Sequence, residues 1–296
     1  MSLQRFQRLT FGLPFLWMAL FVLLPVAILL MVSLSESRIG VPPYKPLLEW
    51  ADGGLSAVNA GLGSYGQLIE DGTLALTVVE SLSMAGLTTL ICLLLGWPMA
   101  WAIARTRPEG RGPLLLLVMV PFWTSFLVRI YAWMTILGDD GLLNSLLLGL
   151  GLIETPFLIM NTDRAVLIGM VYAYLPFMVL PLYAVLERLD PSLLEAAADL
   201  GAQPLRSFLS VLLPLSMPGV LAGSALVFMP ALGEYVIPDL MGGGGSAMMG
   251  KMMWDIFAMT RDWPGAAALA VVLLASVALP LALLSRLKRR LEGDAA

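Results

Sequence analysis

Three charged side chains stand inside long apolar stretches of this sequence: Glu80, Arg129 and Glu234. A charge carried into bilayer hydrocarbon costs roughly 2.5 to 3.5 kcal/mol on insertion scales, so such groups face a cavity or a partner. Glu234 is followed directly by Tyr235 and then by Asp239. A carboxylate beside an aromatic face is what an ammonium needs when it leaves water, each cation–π contact contributing roughly 0.5–2 kcal/mol. Glu234 and Tyr235 are therefore the first candidates for a cation path, with Glu80 and Asp239 behind them. The competing reading is that Glu234 only pairs with Arg129 and holds two helices in register. Arg129 would repel a cation passing it, so a structural ion pair with a carboxylate, here or on a partner chain, is its expected role. Trp123, Tyr131 and Trp133 read as interface or packing aromatics, with Tyr131 kept as a candidate for the wall of an amine cage.

What is missing narrows the chemistry further. The chain has no histidine, which removes the usual general base, most catalytic metal sites and histidine ligation of haem. No catalytic residue and no metal site is expected. The single Cys92 lies in an apolar run, so no disulfide framework exists and a buried, inert thiol is the reading. Gly245 to Met252 has the Gly-x4-Gly-Lys spacing of a phosphate-binding loop, but Met252 stands where the magnesium-binding hydroxyl belongs. That stretch is read as a flexible connection with Met and Trp anchors.

The elements that must position these residues are membrane helices. Of 296 residues, 59% are hydrophobic and 13% charged, about half the charged share of a soluble domain. A span needs roughly 20 apolar residues in sequence, and six blocks qualify: Phe11–Leu34, Ser83–Ala104, Pro113–Leu137, Ala165–Leu186, Pro218–Leu240 and Pro264–Ser285. Residues 73–83 are an extra amphipathic turn or the start of the second block. The first block is too long for a signal-peptide core and lacks a small-residue cleavage site, so a retained anchor is expected.

Lys and Arg separate into two alternating sets of connections. Arg5, Arg8, Arg105, Arg107, Arg111, Arg188, Arg206, Arg286, Lys288, Arg289 and Arg290 fall in one; Arg38, Lys45, Arg164, Lys251 and Arg261 fall in the other. The positive-inside rule then puts both termini in the cytoplasm. Residues 35–72 form a long external loop rich in Gly, Pro and acids, a small subdomain or a partner-contact surface. The division is thus 1–34 (N-terminus and first helix), 35–72 (external loop), 73–285 (five-helix core) and 286–296 (cytoplasmic tail).

Between the fourth and fifth blocks, residues 187–217 form a cytoplasmic loop with its own helix signals. Asp190-Pro191 is a good start, with Asp as N-cap and Pro at the first helical position. Gly201 is a good stop and Pro204 can open a second helix. Pro214 and Pro218 are expected to re-aim the chain into the next span. The first of the two helices sets small Ala196, Ala197 and Ala198 beside Leu193, Leu194 and Leu200, a surface that a groove on another protein could accept.

Glu195-Ala196-Ala197, Gly201 four residues on, and Val211-Leu212-Leu213-Pro214 match, with one conservative change, the pattern E-A-A, three residues, G, nine residues, I-x-L-P. This is the cytoplasmic loop of ATP-driven importer permeases, which the chain resembles. "PFWTSFLVRIYAW" (121–133) and "PALGEYVIPDLMGG" (230–243) resemble segments of the spermidine/putrescine permeases within that family. The likeness runs over most of residues 73–285 and is weaker over the first helix and the external loop.

The resemblance implies an all-α polytopic membrane protein with six transmembrane helices and the type I importer permease fold. It implies that Glu195, Ala196, Ala197, Asp199, Gly201 and Pro214 belong to a loop docking in a cleft of an ATPase subunit. It further implies an ATP-binding subunit dimer that carries ATP and magnesium, a second permease subunit that is a different chain, and a periplasmic substrate-binding protein. The setting implied is a bacterial inner membrane, with lipid but no nucleic acid as partner, and no cofactor on this chain. Two other classes stay open: an ion-coupled secondary transporter using Glu80 and Glu234 as ion sites, and a structural subunit of a membrane complex. The first should show internal repeats, none is evident, and it leaves the helix pair at 190–207 without work; the second is disfavoured only by the motif match.

Overall fold

The computed structural model describes residues 3–51, 54–70 and 72–293. It is mostly helical and folds as two units, Met1–Val78 with Met252–Ala296, and Val79–Lys251. The expected 73–285 core is thus shared between them.

In the first unit, helix α1 (Leu3–Ser33) precedes a two-stranded antiparallel hairpin, β1 (Leu48–Ala51) and β2 (Gly54–Val58), with Leu48 opposite Val58. Helix α2 (Gly63–Glu70) follows. The 35–72 segment is therefore folded: Ser37 bridges to Tyr44, and Lys45 Nζ donates to Glu36 at 2.7 Å. The Tyr65 hydroxyl donates to Ser33 Oγ at 2.8 Å, fixing α2 to the end of α1.

The second unit holds the candidate site. Helix α3 (Leu74–Arg105) enters it, followed by α4 (Pro108–Met119), α5 (Phe126–Leu137), α6 (Leu142–Gly149), α7 (Asp163–Leu186), α8 (Ser192–Asp199), α9 (Pro204–Ser207), α10 (Leu213–Leu232), α11 (Val236–Met241) and α12 (Met249–Trp254). Helix α13 (Trp263–Gly293) returns to the first unit and runs along α1. The core is α7 against α10. Helix α7 is apolar all round, as a helix surrounded by protein should be, and Met170, Met178, Val179 and Leu182 are fully buried. Small residues let the two backbones close: a Cβ on Gly223 of α10 would lie 2.7 Å from Met178 Sδ and 3.2 Å from the Met178 carbonyl oxygen.

Among the described residues, four helices are long and apolar enough to cross a membrane: Pro14–Ser33, Leu74–Arg105, Asp163–Leu186 and Pro204–Leu232. The other expected spans take different forms. The Pro113–Leu137 block is broken, because α4 ends in a 3-10 turn at Val120–Trp123 and α5 leaves at 91° to it. Pro121 and the extended Thr124 end the α ladder there. The Pro218–Leu240 block is interrupted at Gly233–Tyr235. Residues 74–83 are the start of α3, with Thr73 just before it. The apolar part of α13 is Trp263–Ala278 among the described side chains.

Pro214 and Pro218 do not turn the chain between helices. Residues 204–232 form one continuous rod, with Pro214 in the first turn of α10 and Pro218 inside it. The carbonyls that a proline cannot serve are accommodated by a wider turn, a π segment over Phe208–Leu212 in which the Leu213 N–H reaches back to the Phe208 carbonyl.

Candidate functional site

The sequence-predicted residues fall into two places in the second unit. The first is an elbow at 190–207. The Ser192 N–H donates to Asp190 Oδ1 at 2.9 Å, as an N-cap carboxylate accepts from the second residue of a helix. That bond to the charged form holds the Asp190 carboxyl below the ordinary carboxylate range. At the far end the Gly201 N–H donates to the Ala198 carbonyl (2.8 Å) and the Ala202 N–H to the Ala197 carbonyl (3.0 Å). This bond pair is a Schellman closure, which needs a left-handed residue at its centre. Gly201 supplies it with φ +79°, and a Cβ there would touch nothing within 4 Å. The demand on position 201 is conformational and not steric.

Helix α8 buries none of its residues. Glu195, Ala196 and Asp199 are exposed and Ala197 is half-buried. Leu200 and Leu205 project at 90% and 69% exposure. Pro214, also exposed, belongs to the rod above the elbow and not to the elbow itself. The rod is seated on α3: Trp97 Nε1 donates to Ser216 Oγ at 3.3 Å, and the Trp97 ring meets Phe208 edge-on at 4.7 Å. Trp101 stacks on Trp97 and carries the Arg105 guanidinium 4.2 Å above its ring. Arg111 and Glu187, 3.0 Å apart, tie the first turn of α4 to the end of α7.

The second place is the break at 233–235 between α10 and α11. Glu234 folds its carboxylate back over the next turn, so that Oε1 accepts from the Val236 N–H (2.9 Å) and the Ile237 N–H (3.3 Å). Oε2 accepts from the Tyr174 hydroxyl of α7 at 2.5 Å. The segment 247–250 packs under this break: a Cβ on Gly250 would lie 2.6 Å from the Gly233 carbonyl oxygen and closer still to that of Glu234. The same segment is held from α3, where the Ala247 N–H donates to Glu80 Oε2 (3.2 Å) and the Met249 N–H to Ser81 Oγ (2.7 Å). Lys251 Nζ donates to the Gly243 carbonyl at 2.6 Å. Glu80 and Ser81 of α3 therefore hold the segment that packs under the break carrying Glu234.

The ion pair of the competing reading, Arg129 with Glu234, is not formed. Arg129 has no carboxylate within 4.0 Å among the described residues; its guanidinium lies 5.2 Å from the Phe122 ring centre and 5.6 Å from that of Phe126. Its Nε is buried without a partner. The reason is that Glu234 has been taken by donors closer in space, Tyr174 and the start of α11. Asp239 and Tyr235 share the first turn of α11, the Asp239 N–H donating to the Tyr235 carbonyl at 2.9 Å. Tyr131 is half-exposed on α5.

Tyr174, Ser81 and Trp97 were not singled out by the sequence. The available signal for Tyr174 was a hydroxyl inside an apolar block, since such a group requires an acceptor.

Comparisons with known proteins place this geometry. The family model described as binding-protein-dependent transport system inner membrane component matches residues 85–293. The spermidine/putrescine transport system permease protein PotB of Haemophilus influenzae is 41% identical over 275 residues, 93% of this chain and 91% of the relative. Its Escherichia coli namesake is 46% identical over 215 residues, 73% and 78% of the two chains. Among solved structures, a bacterial ABC transporter involved in the import of the acidic polysaccharide alginate superposes with TM-score 0.66 at 16% identity, covering 94% of this chain and 92% of that one. The same transporter in complex with an alginate pentasaccharide-bound periplasmic protein gives TM-score 0.66 over 93% of each chain.

Proposed function

This chain belongs to the family of binding-protein-dependent transport system inner membrane components, and from that premise we propose that it is the permease subunit of an ATP-driven polyamine importer. The relatives named as spermidine/putrescine permeases, at 41% and 46% identity, support the substrate class. The observation that carries the mechanism is the elbow. A rigidly closed helix of eight residues presents Glu195–Ala197 and the open side chains of Leu200 and Leu205. Solvated leucines at that exposure are what a partner's groove would cover.

In this reading the chain has six spans, the bent α4–α6 pair and α13 completing the four continuous ones. Both termini and the elbow are cytoplasmic in a bacterial inner membrane. A dimer of ATP-binding subunits holds ATP and magnesium, a second and different permease completes the pathway, and a periplasmic binding protein delivers substrate. This chain supplies no catalytic group and binds no cofactor. Closure of the ATPase pair moves the elbow, and the rod from Pro204 to Leu232 transmits that movement to the break beside Glu234. Access switches by a shift between two states, driven by the preference of ATP for one of them. Glu234, Tyr235, Glu80 and Asp239 line the cation path, and Arg129 waits for a carboxylate on the partner permease.

The test is ligand-dependent ATPase activity and uptake in proteoliposomes containing the ATPase, both permeases and the binding protein. Polyamines alone should stimulate both activities. Stimulation by a neutral or anionic solute instead would remove the polyamine assignment and keep the importer, and absence of any coupling would remove both.

A further inference from the structure

Glu234 is a carboxylate in an apolar setting that meets three donors and, among the described residues, no cation within 4.0 Å. Its two oxygens are not equivalent. Oε1 is bound by two backbone N–H groups that cannot leave without undoing the first turn of α11. Oε2 is bound by one side-chain hydroxyl, whose hydrogen can turn away by rotation about a single C–O bond. Glu234 as a residue is half-buried, and neighbouring Tyr235 is 36% exposed.

Behind Tyr174 lies a series of rings. Its centroid is 6.3 Å from that of Phe177, and Phe177 meets Phe122 edge-on at 5.1 Å. Phe122 in turn faces the Arg129 guanidinium at 5.2 Å. The cationic side chain is thus kept at the far end of an aromatic series and does not neutralise the carboxylate. The phenol's bond to the carboxylate is already charge-assisted, and an ammonium adds to such a bond the attraction between opposite full charges. A cation arriving at Oε2 would therefore win the oxygen from a phenol.

We propose that Tyr174 is a positioning and specificity-determining residue whose hydroxyl competes with an ammonium group of the substrate for Oε2 of Glu234. The competition sets a threshold: a neutral solute offers only another neutral hydrogen bond and leaves Tyr174 in place, whereas a primary ammonium displaces it. Turning the O–H away leaves the tyrosine ring in place beside Phe177, their centroids 6.3 Å apart. This proposal rests on the polyamine reading above.

The test uses the assembled complex in lipid nanodiscs without the binding protein, with labelled putrescine and spermidine as probes. Tyr174→Phe should tighten equilibrium binding by about tenfold, the order expected for removing a competing hydrogen bond to a charged group. Glu234→Gln should weaken it by at least about tenfold, because the attraction between opposite charges is lost while the ammonium's hydrogen bond remains. In the Glu234→Gln background, Tyr174→Phe should change nothing; a merely structural tyrosine would act in both backgrounds. Unchanged or weaker binding in Tyr174→Phe, an effect that persists without the carboxylate, or no measurable binding to an importing wild-type complex would each overturn the competition. Uptake by wild-type proteoliposomes with the binding protein separates the two failures. If the polyamines are not imported there, the functional reading falls; if they are, and Tyr174→Phe is silent, only the competition falls.

Discussion

The elbow at 190–207 and the break at 233–235 are both interruptions of helix by a glycine, yet they are held in opposite ways. Every bond that shapes the elbow is local: Asp190 to Ser192, Gly201 to Ala198, Ala202 to Ala197. Its Leu193, Leu200 and Leu205 side chains are exposed, while Leu194 and Ala197 are half-buried. The break is shaped largely from a distance. Tyr174 reaches Glu234 across 60 positions, and Glu80 reaches Ala247 across 167. A surface meant for another protein can be built from neighbours in sequence, whereas an opening inside a helix bundle has to be paid for by the helices around it, because no water is there to satisfy its free backbone groups.

Three substitutions test that contrast. The largest effect belongs to the break. In Gly250→Val the new Cβ meets the carbonyl oxygens of Gly233 and Glu234, which are backbone and cannot swing aside. We expect a loss of about 3 kcal/mol and several-fold less assembled complex, read as yield after solubilisation; wild-type yield would mean that the segment 247–250 does not support the break. The elbow should respond to conformation instead of space. Gly201→Val forces a β-branched residue to φ +79° at about 1–2 kcal/mol, and uptake should fall while the complex still assembles. Gly201→Asn, which tolerates that region, should stay near wild type, and equal damage from both would show that size matters there after all.

The smallest effect is at the cap. The Asp190 carboxyl titrates below its ordinary value of 3.8 because the Ser192 N–H favours the charged form. A group depressed on folding contributes stability that is complete above its unfolded value and is lost as pH falls through the folded one. Hydrogen exchange at Ser192, corrected for intrinsic rates, should therefore be slower in the wild type than in Asp190→Ala throughout the neutral range, and the difference should vanish only on acidification well below pH 3.8. A difference that disappears nearer neutrality would mean that the cap is not what protects this amide.

The same contrast explains what could be read in advance. The elbow was legible residue by residue, since Asp190-Pro191, Gly201 and Pro204 each act on the backbone within a few positions. The four continuous apolar helices were legible from run length. The kink in the third block was not, because Val120, Pro121 and Phe122 are as apolar as a straight span would require, and hydropathy does not register direction. Pro214 and Pro218 misled for a related reason: a proline announces a missing N–H, and the chain answered with a wider turn in place of a bend. The candidate carboxylates were found by type, Glu80 and Glu234 both proving to be bonded, but their partners were invisible. Nothing near Glu234 in sequence names Tyr174, and nothing near Arg129 says that it will face rings.

The wider turn at Phe208–Leu212 has one more consequence, and it concerns angle. Each residue of an α-helix advances about 100° around the axis, so the extra residue lodged in a π turn acts as a phase setting between the rod and whatever is attached below it. It decides toward which point of the compass the elbow faces while leaving the rod straight. Were these five residues to rewind as regular α-helix with none removed, each would advance about 100° and the elbow would swing about a quarter of a circle around the rod. The direction in which this chain offers itself to a neighbour is thus stored in a single surplus residue, several turns away from the break it serves.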